Sequence, residues 1–306
     1  MRWIRGGRPR GALGRGASGS LRLARAALAG LLALLGSAPA SAQGLVGLDA
    51  VHGFEPEDVL FDGSRYDELR AEIAALGMTP VPIASFDATS LAGLELLLIK
   101  IAYPAQADED DFSPDDAAAI QAFVAAGGRL VALADAGFQS DVTGLNRVLE
   151  PYQMGFSTSL LFLNTELVLT KADLNPHPIR RLLASFGMLG FREILFPAGS
   201  EAFDFTATTS IDVIALNQAG GRKVMALGDS SLWKDDDDGP TAGASITIET
   251  QSNRLLLQNS LRWLTGLPVG PPVPMPALSP PSLWPAGLLV AAAGAWRLRR
   301  RAPRRG

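Results

Sequence analysis

The sequence predicts an α/β domain built on a mostly parallel sheet, and three observations carry that prediction. Short apolar runs of strand length alternate with segments of helical period between residues 44 and 134. Two of those helical segments stop at glycine, at Gly77 and at Gly127-Gly128, where a left-handed cap belongs. The run Glu95–Ile101, ELLLIKI, is almost continuously apolar, as befits a strand covered on both faces.

The elements follow in order. Gly44 to Val51 is a short apolar strand that ends at His52-Gly53. SRYDELRAEIAALG then places Tyr66, Leu69, Ile73 and Leu76 on one helical face. A second strand spans Thr79 to Ala84, and ELLLIKI is the third. Ser113 is a helix cap, Pro114 fits the first helical position, and Asp116 completes a capping pair with Ser113. Ala117, Ile120, Phe123 and Val124 give that helix its inner face, and Leu130 to Ala134 is the fourth strand. Helical connections between such strands imply parallel pairing. Residues 156–217 hold shorter strand-like runs (LFL, ELVL, IDVIAL) around NPHPIRRLL. Regularity returns with a strand at Lys223 to Leu227 and a helix whose Leu257, Leu261 and Leu264 share a face, closed by Gly266.

Both ends of the 306-residue chain read as addresses rather than as parts of this domain. Residues 1–42 carry seven Arg and no acid, then an apolar run Ala26 to Leu35, then Ala40-Ser41-Ala42. A basic region, a short apolar region and an A-x-A site in that order predict a secretory signal peptide. The expected domain is 43–266, followed by a Pro-rich linker at 267–282 and a short transmembrane segment with an Arg-rich tail at 283–306. The apolar stretch Leu283 to Trp296 is shorter than a comfortable span, and six Arg in the last ten residues would hold its end on the cytoplasmic side. The expected location is therefore the bacterial cell envelope, reached by export.

Charge and cysteine content exclude several functions. Of the 27 Lys and Arg, 13 lie in the two ends, which leaves 14 bases against 31 acids in the middle. An anionic domain repels phosphate backbones, so no nucleic-acid partner is expected. The absence of Cys removes thiolate nucleophiles, Cys-based zinc sites and disulfides.

The order of motifs resembles a known superfamily. A strand ending in His52-Gly53, FSPDD, AFVAAGGRLV, NPHPI, and VMALGDSSLW before a terminal helix recur in the sequence of the class I glutamine amidotransferase-like superfamily. More closely the chain resembles its non-catalytic branches, the DUF4350-type and gliding-associated domains. That resemblance covers roughly residues 44–266 and implies a flavodoxin-like three-layer sandwich. The tail, with Met275-Pro276-Ala277-Leu278-Ser279, resembles the IPTL-CTERM and PEP-CTERM sorting signals and implies a processing protease as a partner.

Catalytic members carry G-x-C-x-G after the fourth strand and a His-x-Glu after a later one. Here Leu133-Ala134-Asp135-Ala136-Gly137 stands at the first motif, so Asp135 occupies the place of the Cys. Leu227-Gly228-Asp229-Ser230-Ser231 stands near the second and holds no His. The resemblance therefore implies a fold without glutamine hydrolysis. Asp135, Asp229, Ser230 and His52 are the candidate ligand-binding residues, because ligands bind at the carboxyl edge of open α/β sheets. Asp62 can approach from the loop after the first strand.

Two chemistries stay open on these residues. Oxygen-rich clusters suit the hydroxyls of a sugar or a hard cation such as Ca²⁺ or Mg²⁺, although no cofactor motif is present. Alternatively Asp135 is a nucleophile acting on an ester or carbohydrate, with His52 facing it as base. Against both, His52 can simply shape its turn, and His177, between prolines, can do the same. The run Asp235 to Asp238 reads as a solvated loop or a lid over the crevice, and Trp233 as a loop anchor or a sugar platform. The expected partner is a small molecule or an envelope protein; an auxiliary role in envelope transport is the remaining alternative.

Overall fold

The computed structural model describes residues 44–53, 59–101, 112–135, 141–206, 212–235, 247–250 and 252–269. Compactness divides the chain into 1–43 and 44–306, and all the described residues lie in the second unit. The expected signal peptide, the sorting motif, the segment Leu283 to Trp296 and Asp236 to Asp238 lie outside the described residues. Among the described residues, no helix is long and apolar enough to cross a membrane.

The strands are β1 (Leu45–Asp49), β2 (Thr79–Ile83), β3 (Leu94–Lys100), β4 (Arg129–Leu133), β5 (Gly155–Thr170), β6 (Ser185–Leu195), β7 (Phe203–Asp204), β8 (Ile214–Asn217) and β9 (Lys223–Leu227). The helices are α1 (Asp67–Ala75), α2 (Pro114–Ala125), α3 (Thr143–Leu149) and α4 (Asn253–Thr265). The main sheet runs β2-β1-β3-β4-β9-β8-β7. Its first five strands are parallel, and β8 and β7 add an antiparallel edge. With β9 as fifth strand this is the flavodoxin-like order, in which the chain leaves β1 to one side for β2 and to the other for β3.

Strand periodicity sorts the core into two layers. Leu96, Leu98, Val131, Leu133, Met225 and Leu227 pack on one face of the sheet with Leu69 and Ile73 of α1 and Leu257 and Leu261 of α4. Their alternates Leu97, Ile99, Leu130, Ala132, Val224 and Ala226 pack on the other face with Ile120 and Val124 of α2 and Leu145 and Val148 of α3. Two helical layers around one sheet make the three-layer sandwich. The predicted capping of α2 is present in full: Asp116 N–H donates to Ser113 Oγ at 3.2 Å, and Ser113 N–H donates to Asp116 Oδ2 at 3.1 Å. Gly77, Gly127 and Gly266 all hold positive φ at the helix ends where the sequence required it.

The second half differs from the short strand-like runs expected of it. LFL and ELVL are parts of one long strand, β5, which pairs antiparallel with β6 as a separate two-stranded ribbon. That ribbon reaches both cores. Leu169, Phe186, Met188 and Phe191 belong to the layer of α1 and α4, whereas Phe156 and Ile194 belong to the layer of α2 and α3. It therefore passes over the carboxyl ends of β4 and β9. At the crossing Arg192 N–H donates to Gly228 O at 2.9 Å, and Gly228 N–H donates to Val213 O at 2.9 Å. A Cβ at Gly228 would stand 2.2 Å from the Arg192 carbonyl oxygen, so only glycine admits the crossing.

Asp235 corrects a second expectation, because it is buried rather than solvated. Helix α1 has no side-chain cap from its own preceding residue. Instead the Glu68 N–H donates to both Asp235 oxygens, at 3.0 and 3.2 Å, while Asp235 N–H donates to Arg65 O at 2.7 Å. A carboxylate from 167 residues away thus serves the orphan donors and the positive end of the helix.

Two measurements check these contacts. Gly228→Ala should lower unfolding stability in urea by about 2–3 kcal/mol, since the neighbour it meets is backbone; an unchanged midpoint would contradict the crossing. Asp235→Ala should cost about 1 kcal/mol, the usual effect of losing a cap, and selectively speed amide exchange in the first turn of α1.

Candidate functional site

Four neighbouring parallel strands each deliver a charged residue to the carboxyl edge. Asp49 ends β1 and Lys100 ends β3; Asp135 and Asp229 come two residues after β4 and β9. All four are buried, with 0, 0, 9 and 1% of their surface exposed. The alternation that sorts the core also sorts these residues. Asp49 falls on the α2–α3 face, with Gly47, whose missing Cβ would meet Ile83 and Leu97 of that layer. Lys100 follows Leu96 and Leu98 to the α1–α4 face, where its Nζ stands 5.3 Å from the Tyr66 ring centre. Asp135 follows Val131 and Leu133, and Asp229 follows Met225 and Leu227, to that same face.

The sequence-predicted set is therefore brought together only in part. Asp135, Asp229 and Ser230 form one group. Ser230 Oγ donates to Asp135 Oδ2 at 2.6 Å, and Lys234 Nζ lies 3.8 Å from the same oxygen. Arg192 reaches in from the ribbon, its Nε donating to Asp135 O at 3.0 Å and its Nη1 to Ser157 O at 2.9 Å and Thr158 O at 3.1 Å. Asp229 Oδ1 accepts from Ser231 N–H at 2.8 Å, which starts the short 3₁₀ turn Ser230–Trp233. Its Oδ2 is buried and has no hydrogen-bond partner among the described residues. Burial, and then the charge of Asp135, push the Asp229 carboxyl up to about 7 from an ordinary 3.8, against the opposing pull of Ser231 and Lys234. Asp229 thus holds its proton far above the ordinary carboxylate range and is about half protonated at neutral pH, beside an ion-paired Asp135.

His52 does not face Asp135. Its Nδ1 bonds Asp49 Oδ2 at 2.8 Å, and its ring lies against Phe112 and Phe86, with centres 4.3 and 5.6 Å away. Those two phenylalanines belong to the α2–α3 layer, so the imidazole sits on the opposite face from Asp135. The turn-shaping reading of His52 is visible as well, since Asp49 Oδ1 accepts from Val51 N–H and His52 N–H.

The remaining residues singled out in the sequence take structural places. Asp62 is exposed. Trp233 is fully buried in the α1–α4 layer, an anchor rather than an open platform. His177 Nδ1 accepts from Ile179 N–H at 3.3 Å and sets the turn in NPHPI; desolvation, then Lys223, push its pKa down to about 4. Among the described residues no three His, Asp or Glu side chains gather as they would around a metal ion.

Sequence reasoning missed Asp49, Lys100, Lys234 and Arg192. Two of these had a local signal: a lysine ending an otherwise apolar buried strand, and an Asp three residues before His52. Arg192 had none, since only the crossing of β6 brings it to Asp135.

No family model matches the chain, and no curated protein matches it. Solved structures align with much of its length at low identity. A cytoplasmic protein of Salmonella typhimurium LT2 is 13% identical, with 72% of this chain and 97% of that one aligned at a TM-score of 0.48. A protein of Bacteroides uniformis described as ThuA-like is 12% identical over 74% and 93%, at 0.49. A β-galactosidase of Bacillus circulans sp. alkalophilus is 13% identical over 74% of this chain but 32% of its own, at 0.42. Likeness at these levels assigns no activity.

The Asp229 proton makes a signed prediction. The folded pKa lies above the unfolded one, so this group's contribution to stability is complete below about pH 4 and is lost as pH rises through about 7. Asp229→Asn removes that loss. Relative to the parent, the variant should gain about 2–3 kcal/mol between pH 5 and pH 8, measured by urea unfolding across that range. A parent-to-variant difference independent of pH would contradict it.

Proposed function

We propose that this chain is an exported, envelope-associated binding domain of amidotransferase-like descent, non-catalytic at the amidotransferase position. It takes a small hydroxyl-bearing ligand at the carboxyl edge of its sheet. One observation supports this most. The side chain in the nucleophile's place, Asp135, is engaged by Ser230 and Lys234, and the base that would serve it, His52, is turned to Asp49 on the other face. A nucleophile so neutralised, with no imidazole beside it, does not carry a hydrolytic cycle. The buried Asp229 Oδ2 and Trp233 Nε1 have no hydrogen-bond partners among the described residues, and unsatisfied buried polar atoms are what a polar ligand or water would satisfy. Export and membrane attachment rest on the two sequence ends, and the processing protease on the sorting-signal resemblance.

Thermal melting of the purified protein tests the reading. The panel is Ca²⁺, Mg²⁺ and neutral monosaccharides, each at high excess. A ligand confined to the folded state adds about 2.7 kcal/mol at a hundredfold excess over its dissociation constant. The expected result is a rise with a sugar that disappears in Asp135→Asn and in Asp229→Asn. A rise with a cation alone would replace the sugar by a metal, and no rise with any would contradict a small ligand and leave a protein partner.

A further inference from the structure

Leu182, in the connection between β5 and β6, is 55% exposed, more than any other large apolar side chain among the described residues. It also holds φ at +64°, in the left-handed region that favours glycine. Strain of that kind persists only where the surroundings impose it, and it collects at functional turns. Here it separates two neighbours, since Leu183 is buried in the α1–α4 layer and Leu182 is left outside. The turn is firmly held. Asn259 Nδ2 of α4 donates to Ile179 O at 2.8 Å and to Arg181 O at 2.7 Å, and Leu183 N–H donates to Arg180 O at 3.2 Å. Lys171 N–H donates to Ala184 O at 3.0 Å, which ties the two ends of the connection together.

The chain leaves the domain at the same place. Arg181 Nη1 donates to Val269 O at 2.6 Å and Arg262 Nη1 to Pro268 O at 3.2 Å, and Leu267 beside them is 40% exposed. Lys223, the first residue of β9, donates from Nζ to Trp263 O, so this end of α4 lies at the amino edge of the sheet. Residues 270–282 lead from here to the expected membrane segment and reach at most about 40 Å at polyproline extension. Charge marks the same face. The connection 171–184 holds Lys171, Arg180 and Arg181 against one acid, Asp173, whereas the chain between its two ends holds 14 bases against 31 acids. An anionic surface therefore repels the domain at large and attracts this part of it.

We propose that the turn 180–183 is a foot by which the folded domain docks on an anionic lipid bilayer. The proposal rests on the membrane attachment proposed above and adds to it a contact made by the domain itself. Leu182 enters the boundary between headgroups and acyl chains, as apolar side chains of interfacial segments do. Lys171, Arg181 and Arg262 meet the lipid phosphates around it. The linker keeps the foot at high local concentration, so a contact too weak to form untethered suffices. The candidate site, at the carboxyl edge, then faces away from the bilayer.

The chain has no Cys, so Leu182→Cys gives a single attachment point for an environment-sensitive fluorophore. Val51→Cys, exposed beyond the carboxyl end of β1, gives the control. The full chain is reconstituted into vesicles of phosphatidylcholine and phosphatidylglycerol that carry a nitroxide at headgroup depth. The expected result is a chain that floats with the vesicles, a label at 182 that loses most of its emission, and a label at 51 that keeps it. The loss at 182 should largely vanish in Arg181→Glu and in vesicles without phosphatidylglycerol. Flotation with both labels unquenched would overturn the docking alone and assign the face to a protein partner. Quenching at both positions, or equal quenching without the anionic lipid, would overturn the oriented, charge-guided contact. A chain that does not float contradicts the membrane attachment itself, and the foot falls with it.

Discussion

The passage of β6 over the ends of β4 and β9 is the constraint on which the candidate site depends. A parallel sheet ends in loops, and its carboxyl edge is ordinarily open. Here the Arg192 N–H pairs with Gly228 O, and the Arg192 side chain binds the carbonyl oxygens of Asp135, Ser157 and Thr158. The ribbon is thereby pinned across two strand ends at once. Asp229 is buried beside it, and burial raises its carboxyl to about 7. Gly228 is the small residue that lets the backbones meet.

A second organising fact is the division of charge by strand periodicity. Side chains two apart share a face, so Asp135, Asp229 and Lys100 go one way and Asp49 goes the other. The α1–α4 face collects a mixed cluster, with Ser230 and Lys234 on Asp135 and the Lys100 ammonium against Tyr66. Such clusters gain from mutual attraction only when geometry and hydrogen bonds offset desolvation. The offset at Asp229 is incomplete, because Oδ2 lacks a hydrogen-bond partner among the described residues. The α2–α3 face holds one carboxylate and one imidazole among aromatic rings. The edge therefore offers two chemically distinct environments.

How much the sequence disclosed depends on the range of the forces involved. Helix caps, glycine stops and strand runs are local, and Ser113, Asp116, Gly77 and the strand Lys223 to Leu227 took the places that spacing assigned them. The fate of Asp135 and Asp229 at the carboxyl edge was also legible, because a βα order fixes which end of each strand faces the crevice. The face each strand residue takes was legible in principle by counting from the apolar alternation, but the count would carry His52 with Val46 and Leu48 to the face of Asp135. The turn closed on Asp49 instead sends its ring to Phe86 and Phe112. The β5–β6 ribbon was not legible: strand-like runs do not say which partner they meet or what they pass over. Asp235 escaped for the same reason, since a cap supplied from 167 residues away leaves no mark in the four residues around it.

The central claim is that the ribbon buries an acid pair in which Asp229 holds a proton beside an ion-paired Asp135. Carboxyl ¹³C spectra of the aspartates, followed from pH 4 to pH 9, test it most directly, with Asp229 assigned by its absence in Asp229→Asn. The account predicts that the signal lost in Asp229→Asn stays protonated past pH 6 and titrates at about 7. An Asp229 signal already ionised at pH 5 would mean that water reaches the strand ends, and the roof over β4 and β9 would have to be abandoned.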